Sequence, residues 1–140
     1  MTDAAGIARA YLASFAGEAD SAVDVQELAD AVAAHVAPGF HNEHASALGS
    51  SSTGRDEYRR RLPGFLSSFP GLAYEVETVI ADGDGVAVAY RMTATSGGHP
   101  FAVRGVMLLE VGGGLITRRT DYWDSLGFLR QVAPEGPDVR

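Results

Sequence analysis

The chain has 140 residues, 46% of them hydrophobic, and a formal charge of −7 with a pI near 4.9, which fits one domain large enough to bury roughly two-thirds of the surface its unfolded form exposes. The negative field works against non-specific binding to nucleic acid or anionic membranes, even though Arg55, Arg59, Arg60 and Arg61 gather four of the eleven basic residues in one stretch. No Lys is present to form a Schiff base and no Cys to act as a thiol nucleophile, disulfide partner or thiolate ligand.

The N-terminus, MTDAAGIARAYLASFAG, carries Asp3 and lacks the basic start and unbroken apolar core of a signal peptide. No run approaches the roughly 20 apolar residues of a membrane span, so a soluble, cytoplasmic protein is expected. Ile7, Ala10, Tyr11 and Phe15 recur at helical spacing, with Gly17 as a stop. Asp24 followed by Glu27 resembles a capping box opening a second helix, whose apolar positions are Val25, Leu28, Ala29, Val32 and Val36 and which ends at Pro38 and Gly39.

The stretch Phe40 to His44, FHNEH, reads as a loop. Two His three residues apart beside Glu43 invite a metal reading, because imidazole and carboxylate are ligands for zinc or iron. That spacing suits a helix face, which this sequence is not, and no metal is assigned. The alternatives are hydrogen-bonded loop histidines, or a pocket rim that uses Asn42 or His44. Residues Ala45 to Gly54 read as a Ser- and Gly-rich loop without the G-x-S-x-G of a serine hydrolase. Thr53 is expected to cap a third helix with Tyr58, Leu62, Phe65, Leu66 and Phe69 as its buried stripe, kinked or split at Pro63.

After Pro70 and Gly71 the hydrophobic period changes from 3.6 to 2. Four strands are expected, Leu72 to Ile80, Val86 to Thr95, Phe101 to Val111 and Leu115 to Trp123, joined by short Gly-rich links that require antiparallel neighbours. The fold class is therefore α+β, with three N-terminal helices packed on an antiparallel sheet. Residues 1–132 form the domain and 133–140 a mobile tail. Both sheet faces carry apolar residues, so the face without helices is expected to meet a second copy in a homodimer.

The last strand holds the best functional signal. Alternation places Leu115, Thr117, Arg119, Asp121 and Trp123 on one face, and Ile116, Arg118, Thr120 and Tyr122 on the other. If the first face looks into a cavity, Asp121 is a carboxylate in apolar surroundings, an environment suited to proton transfer.

In their order and spacing, GRDEYRRRL at Gly54 to Leu62, SSFPGL at Ser67 to Leu72 and ITRRTDYWD at Ile116 to Asp124 resemble the SnoaL-like branch of the nuclear transport factor 2-like superfamily. The resemblance implies a strongly curved sheet forming a cone-shaped α+β barrel, and relatives that include polyketide cyclases, limonene epoxide hydrolase and ketosteroid isomerase, cofactor-free enzymes of proton transfer. Of the epoxide hydrolase pattern, Asp121 matches the first Asp, Arg91 the Arg and Asn42 the Asn. Thr93 stands where a second Asp would be, and Phe40 where a Tyr would be. Thr is a poor acid for epoxide opening, so the implied chemistry is that of a cyclase or isomerase with one carboxylate. In that reading Asp121 is the acid/base, Arg91 orients it, and Asn42 or His44 hydrogen-bonds a substrate oxygen. Phe40 and Trp123 pack a flat hydrophobic substrate on the face shared with Arg119. The rival is a non-catalytic ligand-binding or dimerisation module, its cavity filled by Phe65, Phe69 and Phe101.

Overall fold

The computed structural model describes residues 3–16, 24–46 and 48–133. The stop expected at Gly17 and the tail from residue 134 onward lie outside them. The elements run α1 (Ala4–Ser14), α2 (Val25–Ala33), β1 (Val36–His44), β2 (Ser51–Thr53), α3 (Arg55–Ser68), β3 (Ala73–Asp82), β4 (Gly85–Ser96), β5 (His99–Gly112), β6 (Leu115–Trp123) and α4 (Ser125–Val132).

Asp3 and Asp24 cap the first two helices by accepting from the backbone N–H groups of Gly6 and Gln26, at 2.6 and 2.8 Å. The buried stripe of α1 is Ile7, Ala8, Tyr11, Leu12 and Phe15, with Ala10 exposed. The second helix stops at Ala33, not at Pro38, and Val36 begins a strand. FHNEH is part of that strand rather than a loop. Its ladder with β6 shifts register between Val36 and His41, around Pro38, which has no N–H to donate. Thr53 ends β2 instead of capping α3, its hydroxyl 2.9 Å from Nδ1 of His41. The turn into α3 falls to Gly54, whose φ of 95° favours Gly. Helix α3 neither splits nor ends at Pro63. It runs on to Ser68 along its packed stripe of Tyr58, Leu62 and Leu66.

One six-stranded sheet has the order β2-β1-β6-β5-β4-β3. It is mixed, because β1 runs parallel to β6 while the other pairs are antiparallel. Strands β2 and β3 remain as free edges. The expected cone-shaped barrel is thus not formed: the sheet is open, neither closed nor strongly curled. Helix α1 packs on β3 to β6, α3 packs on β1 and β2, and α2 lies against both helices. These helices bury one face of the sheet directly, so no closure of strand on strand is needed to cover it. A fourth helix, α4, follows β6. Asp124 caps it by accepting from the Gly127 N–H at 2.8 Å. Gln131 ties it to β5 by exchanging two hydrogen bonds with the backbone of Ala102, at 2.9 and 2.8 Å.

The inner face of the sheet carries Val86, Val88, Tyr90, Phe101, Val103, Met107, Leu109 and Val111, all buried. A register shift between Glu110 and Val111 turns Ile116 inward as well, against the strict alternation expected for β6. From Arg119 onward alternation holds, and Arg119 and Asp121 face the core. No helix among the described residues is long and apolar enough to cross a membrane.

Candidate active site

Parallel pairing of β1 with β6 assembles the site. It sets Asn42 beside Arg119 and His44 beside Asp121 on neighbouring strands. Asn42, Arg119 and Asp121 are the buried polar side chains of the described core, at 8%, 2% and 2% exposure. Two buried ions are expensive unless paired and hydrogen-bonded, and here they are both. Asp121 Oδ2 accepts from Nη2 of Arg119 at 2.8 Å, and Oδ1 accepts from the Tyr90 hydroxyl at 2.5 Å. Arg119 also donates to the hydroxyls of Tyr11 at 2.8 Å and Tyr74 at 3.4 Å. Its guanidinium carbon lies 5.7 Å from the ring centres of Tyr11 and Phe15.

His44 completes the group, with Nδ1 3.7 Å from Asp121 Oδ2. That is within Coulombic reach but longer than a hydrogen bond. Burial, and next the positive charge of Arg119, outweigh the pull of Asp121 and hold the imidazole pKa down to about 4, so His44 is neutral near pH 7. Burial also raises the pKa values of Tyr58, Tyr74 and Tyr90, Tyr74 to about 12, and Asp121 adds to the rise at Tyr90. These phenols remain protonated donors. Arg119 keeps its charge: burial opposes it, but the surrounding oxygens of Tyr11, Tyr74 and Asp121 prevail and its pKa moves up.

A cavity of about 220 Å³ reaches this group. Its wall includes Asp121, His44, Tyr90 and Trp123, with Phe65, Phe69, Phe101 and Phe128 as an apolar lining. The phenylalanines that could have filled the space line it instead. Rings of Phe69, Phe101 and Trp123 meet Phe128 of α4 edge to face, with centres 4.9 to 6.0 Å apart. A second cavity of about 140 Å³ lies against Asn42, His44 and Arg119.

Of the residues singled out in the sequence, Asn42, His44, Arg119, Asp121 and Trp123 come together around these cavities. Two do not. Arg91 lies on the opposite face, its side chain 47% exposed and 3.8 Å from Glu75, because alternation along β4 turns Tyr90 inward and Arg91 outward. The guanidinium that holds Asp121 is that of Arg119. Phe40 is fully buried, packed edge to face on Tyr58 at 4.8 Å, and lines neither cavity. His41 and His44 point to opposite faces of β1, and the described residues contain no cluster of three metal-ligating side chains. Sequence reasoning missed Tyr90 as the partner of Asp121, and Tyr11 and Tyr74 as partners of Arg119. Tyr90 was legible in part, since it alternates with Val88 and Met92 on the apolar side of its strand.

The SnoaL-like domain matches the chain over residues 8–119. The chain belongs to the SnoaL-like family. No curated protein matches it. Among solved structures it is similar to a hypothetical protein of ketosteroid isomerase-like fold from Catenulispora acidiphila, in complex with trimethylamine, with a TM-score of 0.77 and 20% identity over 94% of this chain and 97% of that one. It is also similar to an epoxide hydrolase of the limonene epoxide hydrolase-like type from Mycobacterium tuberculosis, with a TM-score of 0.74 and 19% identity over 94% and 90% of the two chains. A proposed polyketide cyclase from Xanthomonas campestris gives a TM-score of 0.73 and 22% identity over 93% and 96%. At these identities the likeness is one of fold. Membership of the SnoaL-like family fits the buried carboxylate and the apolar cavity, and an enzyme acting on a small hydrophobic ligand is consistent with both.

Proposed function

We propose that this SnoaL-like chain is a cofactor-free acid/base enzyme of the cyclase or isomerase type, acting on a small hydrophobic carbonyl compound. The observation that carries this reading is a buried carboxylate, Asp121, at the wall of a largely apolar cavity with a neutral His44 beside it. Asp121 takes a proton from carbon next to the substrate carbonyl and returns it at another carbon, while the neutral His44 beside it hydrogen-bonds the substrate. Tyr90 and Arg119 fix the carboxylate in place and leave it further lone pairs for the incoming proton. Trp123 packs against the flat substrate.

The test needs no knowledge of the product. Wild type is expected to exchange the α-hydrogens of cyclic ketones or lactones for deuterium in heavy water, followed by NMR. Asp121→Asn should slow this about 10²- to 10⁴-fold, and full exchange by that variant would sink the mechanism. A second reading, a binding module without turnover, is favoured by the tyrosine hydroxyls that hydrogen-bond the Arg119–Asp121 pair. Stability does not separate the two. Asp121→Asn strands a buried guanidinium in both cases, at a cost of about 3–5 kcal/mol, so exchange is the deciding assay.

The outer sheet face supports a homodimer. Ile80, Ala87, Leu108 and Thr120 form one row across β3 to β6, and Thr78, Ala89, Val106 and Tyr122 the next. Of these, Ile80 is 66% exposed, Leu108 46% and Tyr122 49%, an apolar patch of the kind that a second copy covers.

A further inference from the structure

The two cavities meet at His44, Ser50 and Phe65, which belong to the walls of both, and the rest of their walls differ in kind. The larger lobe, about 220 Å³, is lined chiefly by aromatic side chains. Of these, Phe69, Phe101, Trp123 and Phe128 pair edge to face with one another. A ligand ring extends that arrangement, with a gain beyond its buried area that an alkyl chain does not have.

The smaller lobe, about 140 Å³, has Phe15, Tyr58 and Leu62 in its wall, all buried. The polar side chains Asn42 and Arg119 of that wall are themselves buried, so its open surface is largely apolar. Its charges are already matched: Arg119 by Asp121 at 2.8 Å, and Arg61 by Glu57 at 2.7 Å. A charged arm would lose its water there and find no free counter-charge, whereas an alkyl arm gains by burial.

Polar surface open to a ligand lies between the lobes. The His44 side chain keeps 22% of its surface exposed, with Nδ1 3.7 Å from Asp121 Oδ2, and Ser50 beside it in both walls is exposed. A carbonyl that accepts from His44 therefore sits in the middle of its molecule, with an apolar group on either side.

We propose that the ligand is a ketone flanked by an aromatic arm and an alkyl arm. The ring occupies the larger lobe, the alkyl arm the smaller, and the carbonyl lies at the junction, where Asp121 removes the α-proton; this rests on the acid/base reading above.

Trp123 is the only Trp of the chain and lines the larger lobe, so its fluorescence reports binding without turnover. The probes are benzyl methyl ketone, benzyl propyl ketone, and para-ethylbenzyl methyl ketone, an isomer of the second with its extra carbons on the ring arm. Wild type should bind the propyl ketone about 15-fold more tightly than the methyl ketone, roughly fourfold for each of the two added methylenes. Ser52 pairs with Asn42 from the edge strand β2 and lines the smaller lobe, so Ser52→Phe fills that lobe from its wall. The variant should bring the propyl gain within about twofold and leave the affinities for the other two ketones unchanged, which also shows that it folds. Ser52→Leu, a smaller filling, should lower the propyl gain in the same direction and decides the matter if the phenylalanine variant binds nothing. Equal affinities for the methyl and propyl ketones in wild type, or a full propyl gain in both variants, would overturn the two-lobe assignment. Deuterium exchange without a propyl preference would remove that assignment alone and leave the acid/base function standing. A propyl preference without exchange would remove the acid/base function and leave the two lobes as a binding site. If none of the three ketones binds, the ligand class falls.

Discussion

At the scale of single residues, the site depends on how burial acts on a few ionisable groups. His44 has a folded pKa of about 4 against 6.5 for the ordinary imidazole. Between those values the unfolded chain binds a proton that the folded chain does not, so stability falls as pH drops from 6.5 to 4 and levels off below. The whole effect is on the order of 3 kcal/mol. Thermal midpoints of wild type and His44→Gln, compared across that window, should diverge: wild type loses stability on acidification and the variant loses less. Parallel curves would mean that His44 titrates as it does in a peptide. In the sequence the same residue stands as one of two histidines beside a glutamate and as a candidate for the pocket rim. Its neutrality comes from burial and from Arg119, residues distant in sequence that the fold brings alongside.

At the scale of elements, β5 carries a constraint that composition does not reveal. Gly105 lies opposite Tyr90 on one side and Trp123 on the other. A Cβ there would sit 2.5 Å from the Tyr90 hydroxyl and 2.7 Å from the Tyr122 backbone oxygen. Gly105→Ala should therefore cost about 1–3 kcal/mol and push the hydroxyl off Asp121, lowering the rate of deuterium exchange. Combined with Tyr90→Phe it should cost less than the sum of the two single changes. Full additivity, measured by denaturant unfolding, would show that the two residues do not share this contact. The strands β3 to β6 were legible to within a few residues because their period of two and glycine turns are local signals. Strand β1 was not. Pro38 and Gly39 look like a helix stop, and FHNEH does not alternate between apolar and polar residues. It becomes a strand because β6 and β2 supply partners on both sides.

At the scale of the whole molecule, one sheet face is covered by helices and the other bears the two apolar rows of the proposed interface. Wild type is expected to scatter light as a particle of twice the 14.7 kDa chain mass. Leu108→Asp, placed in the middle of the patch, should halve that mass and leave the thermal midpoint of the monomer fold measurable. A monomeric wild type in dilute solution would remove the dimer.

The sequence by itself determined what depends on near neighbours: the α+β class, the helical stripes of Tyr11, Phe15, Tyr58 and Leu62, the antiparallel meander, and the common face of Arg119, Asp121 and Trp123. It also carried enough of GRDEYRRRL and ITRRTDYWD to show the SnoaL-like resemblance. Tertiary structure decided the rest. It left the sheet open and added α4 to the cavity wall. It also exchanged Arg91 for Arg119 as the partner of Asp121, and set Asn42 and His44 beside that pair. These outcomes rest on a parallel contact between β1 and β6, whose paired residues lie about half the chain apart. The hydrogen bonds of such a contact depend on register, and no periodicity within either strand encodes it.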